Sequence, residues 1–188
     1  MTGLWVGGVQ VPPLVLPVAI TYAVLAGLAL HRGRGRWPVV VPWVLLLGAL
    51  AVTATATLTP PLTLDNPELY GEFVGRQCAV VVPDMSWTAI TSGDQRLLNV
   101  ALFVPIGLLA VLVSRTLRRV VVGLVIAVVA ALPVVIEAIQ WAFPSLLRAC
   151  DTTDLGDNYV GLLTGLAVGG LGVGLRWAAG RNAGRVGP

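Results

Sequence analysis

The sequence predicts an all-α, polytopic integral membrane protein: about five transmembrane helices in a single bundle, N-terminus outside and C-terminus cytoplasmic. Three observations predict it. Of 188 residues, 56% are apolar and 11% charged, under half the charged fraction of a soluble domain. The mean hydropathy is +0.87. The apolar residues gather in five runs, 11–30, 38–58, 97–114, 120–143 and 158–178, each about the 20 residues that a hydrocarbon core of roughly 30 Å requires of a helix. A soluble globule, a disordered tail, a solenoid, a disulfide-rich secreted mini-protein and a nucleic-acid module are excluded, because none tolerates so much apolar sequence outside a core or a bilayer.

The first run opens with Pro12, Pro13 and Pro17, in or near the turns where a missing N–H costs least. Basic residues follow this run rather than precede it, the reverse of a secretory signal, so it is expected to be a mature helix. The first loop carries Arg32, Arg34 and Arg36, the third Arg115, Arg118 and Arg119, and the tail Arg176, Arg181 and Arg185. Alternation of spans puts these nine on one side. Arg76, Arg96 and Arg148 fall on the other, with every acid except Glu137: Asp65, Glu68, Glu72, Asp84, Asp94, Asp151, Asp154 and Asp157. The positive-inside rule then sets the orientation. Trp5, Trp37, Trp141 and Trp177 fall at span ends, where an amphipathic ring suits the headgroup region. Topology accounts for the arginines, and no aromatic-interleaved basic surface remains for nucleic acid despite a pI near 9.4.

Residues 1–188 read as one membrane domain with a long outer loop at 59–96, longer than a simple connection in a bundle needs. That loop holds Cys78, and the fourth loop, assigned to the same face independently, holds Cys150. A disulfide between them would tie the two loops and stabilise by about 4 kcal/mol on the loop-entropy model; two free thiols are the alternative. Two isolated cysteines without neighbouring histidines do not make a metal site.

Within the spans, the informative residues are those lipid penalises. Asn99, Phe103 and Gly107 recur at steps of four on one helical face, with Pro105 between them. Glu137 and Gln140, three apart, share a face near the outer end of the fourth span; an ionisable group there costs roughly 2.5–3.5 kcal/mol to insert and is a functional candidate. The stretch Arg148, Asp151, Asp154, Asn158, Gly161, Gly165 aligns polar groups at the outer mouth above a seam of small residues. Each has a plainer reading: interhelical hydrogen bonds for Asn99 and Gln140, an internal ion pair of Glu137 with Arg148, a solvated loop or helix N-terminus for the three aspartates, packing for the glycines.

In this order and spacing, Asn99-xxx-Phe103-x-Pro105-x-Gly107, Glu137-xx-Gln140 and Arg148-xx-Asp151-xx-Asp154-xxx-Asn158-xx-Gly161-xxx-Gly165 resemble the VanZ-like family of small polytopic membrane proteins, over roughly residues 53–175. The resemblance implies a multi-pass protein of the bacterial plasma membrane. The family takes its name from an accessory protein of glycopeptide resistance associated with teicoplanin, a lipid-bearing glycopeptide.

Three functions of different classes follow. In the first, the protein binds a lipid-linked cell-wall precursor or a lipoglycopeptide at the outer leaflet, Arg148 holding an anionic head while Asn99, Gln140 and Asn158 hydrogen-bond it. In the second it is a membrane enzyme, with Glu137 and Asp151 or Asp154 as acid and base, or with the three outer aspartates on a divalent cation. No membrane histidine, GxSxG, HExxH or Walker pattern supports catalysis, and no motif requires a cofactor. In the third it is a structural partner of another envelope protein, unidentified by the sequence. Membrane lipid is a partner in every case.

Overall fold

Each apolar run closes its own backbone hydrogen bonds as a helix, the only open-ended way for a chain to do so in lipid. A computed structural model describes residues 4–6, 9–11, 15–59, 78–91, 94–143, 146 and 150–183. A short antiparallel pairing of β1 (Leu4–Val6) with β2 (Val9–Val11) precedes α1 (Val15–Arg32). A 3₁₀ turn, Arg34–Arg36, leads into α2 (Trp37–Leu58). The short α3 (Trp87–Thr91) is followed by α4 (Asp94–Ser114), α5 (Arg119–Ala142) and α6 (Thr152–Ala183). Among the described residues four helical segments are long and apolar enough to cross a membrane, 34–58, 95–114, 119–142 and 152–179, and α1 adds a shorter apolar helix. The protein is a helical membrane bundle.

Two helices begin earlier than their apolar runs. α6 starts at Thr152 because Asp151 caps it, its Oδ1 accepting the Thr153 N–H at 2.8 Å. Asp154 then lies in the first helical turn, where the helix dipole favours an acid. α4 starts at Asp94, so that Arg96 is helical too.

α4 and α6 form the heart of the bundle. A Cβ at Gly161 would run into the Val100 carbonyl oxygen, one at Gly165 into that of Val104, and one at Gly169 would press on Leu108 and Val111. In return, a Cβ at Gly107 would meet the backbone of Leu162 and Leu166. The two backbones therefore touch, which only glycine permits. Residue 100 faces 161, 104 faces 165 and 108 faces 169, so the helices run parallel at a constant offset. Around this contact Phe103, Ile106, Ala110 and Val113 of α4 are buried with Leu46 of α2, Val129 and Ile136 of α5, and Leu162 of α6. Pro105 lies on the exposed face of α4.

The remaining polar groups are satisfied locally or across helices. In α2, Thr55 and Thr57 donate to the carbonyls of Ala51 and Thr53, the route by which a hydroxyl enters an apolar helix. Tyr22 of α1 fits its ring against Gly48 of α2 and donates to the Val44 carbonyl at 2.7 Å. Tyr159 ties α6 to α5 through the Ala130 carbonyl at 2.9 Å.

Cys78 and Cys150 are joined in a disulfide, with Cα atoms 4.6 Å apart. A patch of pairing reinforces it: the Ala79 N–H donates to the Cys150 carbonyl, and the Thr152 N–H to the Ala79 carbonyl. The Thr152 hydroxyl accepts the Val81 N–H at 2.9 Å and donates to the Val81 carbonyl at 2.6 Å. The end of the long loop is thereby fastened to the start of α6. It then turns at Asp84, whose Oδ1 accepts the Ser86 N–H, an interaction that holds this exposed carboxyl below the usual carboxylate range.

Candidate functional site

α2 and α5 end, and α4 and α6 begin, at the acid-rich end of the bundle, and residues near all four ends line a cavity of about 160 Å³. Thr57 comes from α2, Leu98 and Asn99 from α4, Glu137 and Gln140 from α5, Asp154 and Asn158 from α6, with Asp151 at its cap. Helical spacing does the local positioning: Gln140 follows Glu137 by three positions and Asn158 follows Asp154 by four, so each pair projects from one face.

Several lining groups are held by protein. Gln140 donates from Nε2 to the Thr57 carbonyl at 2.9 Å, one of the oxygens that the end of α2 leaves without a helical partner. Glu137, buried, accepts the Asp151 N–H at 3.1 Å. Gln95 donates to Asp154 at 3.2 Å.

Other groups are not. Asn99, Gln140 and Asn158 are only 8%, 6% and 2% exposed, yet one amide atom of each, Asn99 Nδ2, Gln140 Oε1 and Asn158 Oδ1, has no hydrogen-bond partner. Leaving such an atom buried and unpaired costs about 1–3 kcal/mol. All three residues line the same cavity, and their unpaired atoms, one donor and two acceptors, are buried beside it.

The electrostatics are one-sided. Three carboxyl groups, Glu137, Asp151 and Asp154, face the cavity, and its lining includes no basic side chain among the described residues. Arg96 stands close by, but Asp157 holds it: Nε to Oδ2 at 2.8 Å and Nη2 to Oδ1 at 2.7 Å, with Asp157 fully buried. A further Nη2 bond reaches the Asp84 carbonyl. This pairing takes Asp157 out of the three-aspartate cation set considered from the sequence. Among the described residues no group of three or more His, Cys, Asp or Glu is placed to hold a metal ion.

Of the residues singled out in the sequence, Asn99, Glu137, Gln140, Asp151, Asp154 and Asn158 come together on this cavity. Phe103, Gly107, Gly161 and Gly165 lie below it in the α4–α6 contact, and Pro105 is directed away from it. Arg148 lies outside the described residues. Sequence reasoning missed Arg96 and Asp157 as a pair. The sequence alone held no signal for it, because the pairing follows from the docked helices: they stand 61 residues apart, the same offset as Val100 to Gly161 and Val104 to Gly165, and each lies one step of four above those residues. The ion pair is the top rung of the glycine ladder.

A protein-family model described as VanZ/LLP1 matches residues 39–171 of the chain. No match was found among curated proteins or among solved structures.

Proposed function

The chain belongs to the VanZ/LLP1 family, and from that premise we propose that it binds the polar head of a lipid-linked or lipophilic envelope ligand in the cavity at the outer end of the bundle. The observation that carries this reading is the trio of buried, unpartnered amide atoms on Asn99, Gln140 and Asn158. A guest bearing hydroxyl, amide or amine groups satisfies both donors and acceptors there, whichever way each amide is turned. The volume, about 160 Å³, is close to the roughly 150 Å³ that admits a benzene-sized guest, so a single ring or an amino-alcohol head enters and the remainder stays outside. Three carboxyl groups favour a neutral or cationic head over a phosphate. At the rim Leu98 is 54% exposed, which offers apolar surface to an acyl chain while the head is inside.

The setting inferred from the family is the bacterial plasma membrane, and the arginine distribution supports a cavity that opens outward. Contribution to teicoplanin resistance is the corresponding physiological reading, since a lipid-bearing glycopeptide combines sugars with an acyl chain. The test is binding of fluorescent teicoplanin, and separately of a fluorescent alkyl glucosaminide, to the protein in nanodiscs. Asn158→Leu and Asn99→Leu are expected to weaken binding at least tenfold while the protein still accumulates. Unchanged affinity for both probes in well-folded variants would sink the binding role. Loss of accumulation together with binding would favour the structural reading, and turnover of either probe that depends on Glu137 would favour an enzyme.

A further inference from the structure

The arginine-rich end of the bundle carries a second opening. Trp37 at the start of α2, Arg115 just beyond α4, and Arg176 of α6 line a groove of about 610 Å³ whose walls continue along Val41 and Leu112. Arg115 and Arg176 are 61 residues apart, the same interval as Arg96 and Asp157, which puts them at one level along the parallel helices although off the face that carries the ladder. Parallel packing thus delivers an opposite-charge pair to one end and two like charges to the other. Both arginines are exposed, and neither makes an ion pair among the described residues. Two guanidinium groups lining one groove repel each other, and an anion between them relieves that repulsion.

Depth supports the same occupant. Arg115 follows Arg96 by nineteen residues, which at 1.5 Å per residue is about 28 Å, close to the thickness of a hydrocarbon core. The two arginines therefore stand at headgroup level when the ion pair stands at the opposite interface. Trp37, also exposed, suits that level, and the apolar walls begin immediately below it. A positive-inside bias explains arginines in loops; it does not explain two of them converging on a groove with an aromatic edge and an apolar floor.

We propose that this groove is a binding site for an anionic phospholipid, the phosphate between Arg115 and Arg176 and an acyl chain along Val41 and Leu112. The site is separate from the polar cavity and stands or falls without it. The test reconstitutes the protein in vesicles of one part phosphatidylglycerol to nine parts phosphatidylcholine, re-extracts it in mild detergent and measures the retained lipids by mass spectrometry. Retained lipid is expected to be enriched in phosphatidylglycerol about tenfold over the vesicle. Arg115→Gln with Arg176→Gln should return it to the bulk ratio, whereas Arg118→Gln with Arg119→Gln, the same charge change outside the groove, should leave the enrichment intact. Leu112→Trp, which fills the groove and keeps both charges, should also abolish it and decides the matter if the glutamine pair does not accumulate. A bulk lipid ratio on the unaltered protein, or equal loss from the Arg118 and Arg119 pair, overturns the proposal.

Discussion

Arg96→Ala should be among the most damaging single substitutions in the bundle. It leaves the Asp157 carboxylate, 0% exposed and stripped of contacts at 2.7 and 2.8 Å, with no cation to face. Removing one partner of a buried pair costs about 3–5 kcal/mol, chiefly through the charge left behind. Asp157→Ala should cost less, because the Arg96 side chain is 19% exposed and can turn toward water. Replacing both with apolar residues, Arg96→Met with Asp157→Leu, removes the desolvation cost with the attraction and is expected to fall within about 1–2 kcal/mol of the parent. The double-mutant cycle closed with Arg96→Met and Asp157→Leu as its single variants should then give a coupling of about 2 kcal/mol or more. The assay is reversible unfolding in mixed micelles followed by tryptophan fluorescence, with the disulfide intact in every variant. A cost below about 1 kcal/mol for Arg96→Ala, or additive effects in the cycle, would show that the pair is not buried as described.

The glycine ladder makes a sharper contrast. Gly165→Val must push α6 away from the Val104 carbonyl, a backbone atom that cannot move aside, whereas a Cβ at Gly170 meets nothing within 4 Å; the first should lose about 1–3 kcal/mol or fail to accumulate, and Gly170→Val should be near neutral, both read by membrane yield and thermal unfolding. The Cys78–Cys150 bond closes a separation of 72 residues, so Cys78→Ser with Cys150→Ser should lower stability by up to about 4 kcal/mol. Reductant should reproduce the loss in the parent and do nothing further to the variant; a parent insensitive to reductant would refute it.

Much of this architecture was legible along the chain. Glu137 and Gln140 share a face because helical period dictates it, and the Gly161, Gly165, Gly169 spacing announces a close helix approach. Counting spans placed Cys78 and Cys150 at one end of the bundle, where they are bonded. The beginning of α6 was less legible. Asp151, Asp154 and Asp157 admit both a solvated loop and a capped helix, and only the Asp151 cap chooses the helix. The apolar run underestimated that helix because hydropathy registers the lipid-facing segment and not the turns above it.

What one dimension cannot carry is the pairing of distant helices. Composition and periodicity determine that the chain forms apolar helices, which end is acidic, and which faces hold polar groups, since these depend on neighbours within a few residues. The parallel docking of α4 on α6 at a fixed offset is a contact between segments about sixty residues apart, and everything specific descends from it. It joins Arg96 to Asp157 and so removes a charge of each sign from the cavity. It sets Asn99 and Asn158 on the same space with an amide atom of each unpaired, and it brings Arg115 level with Arg176 at the far end. The three aspartates look interchangeable in the sequence; in the bundle one caps a helix, one faces the cavity and one is sealed against an arginine. Burial and partnership distinguish identical side chains, and those are properties of the packed helices.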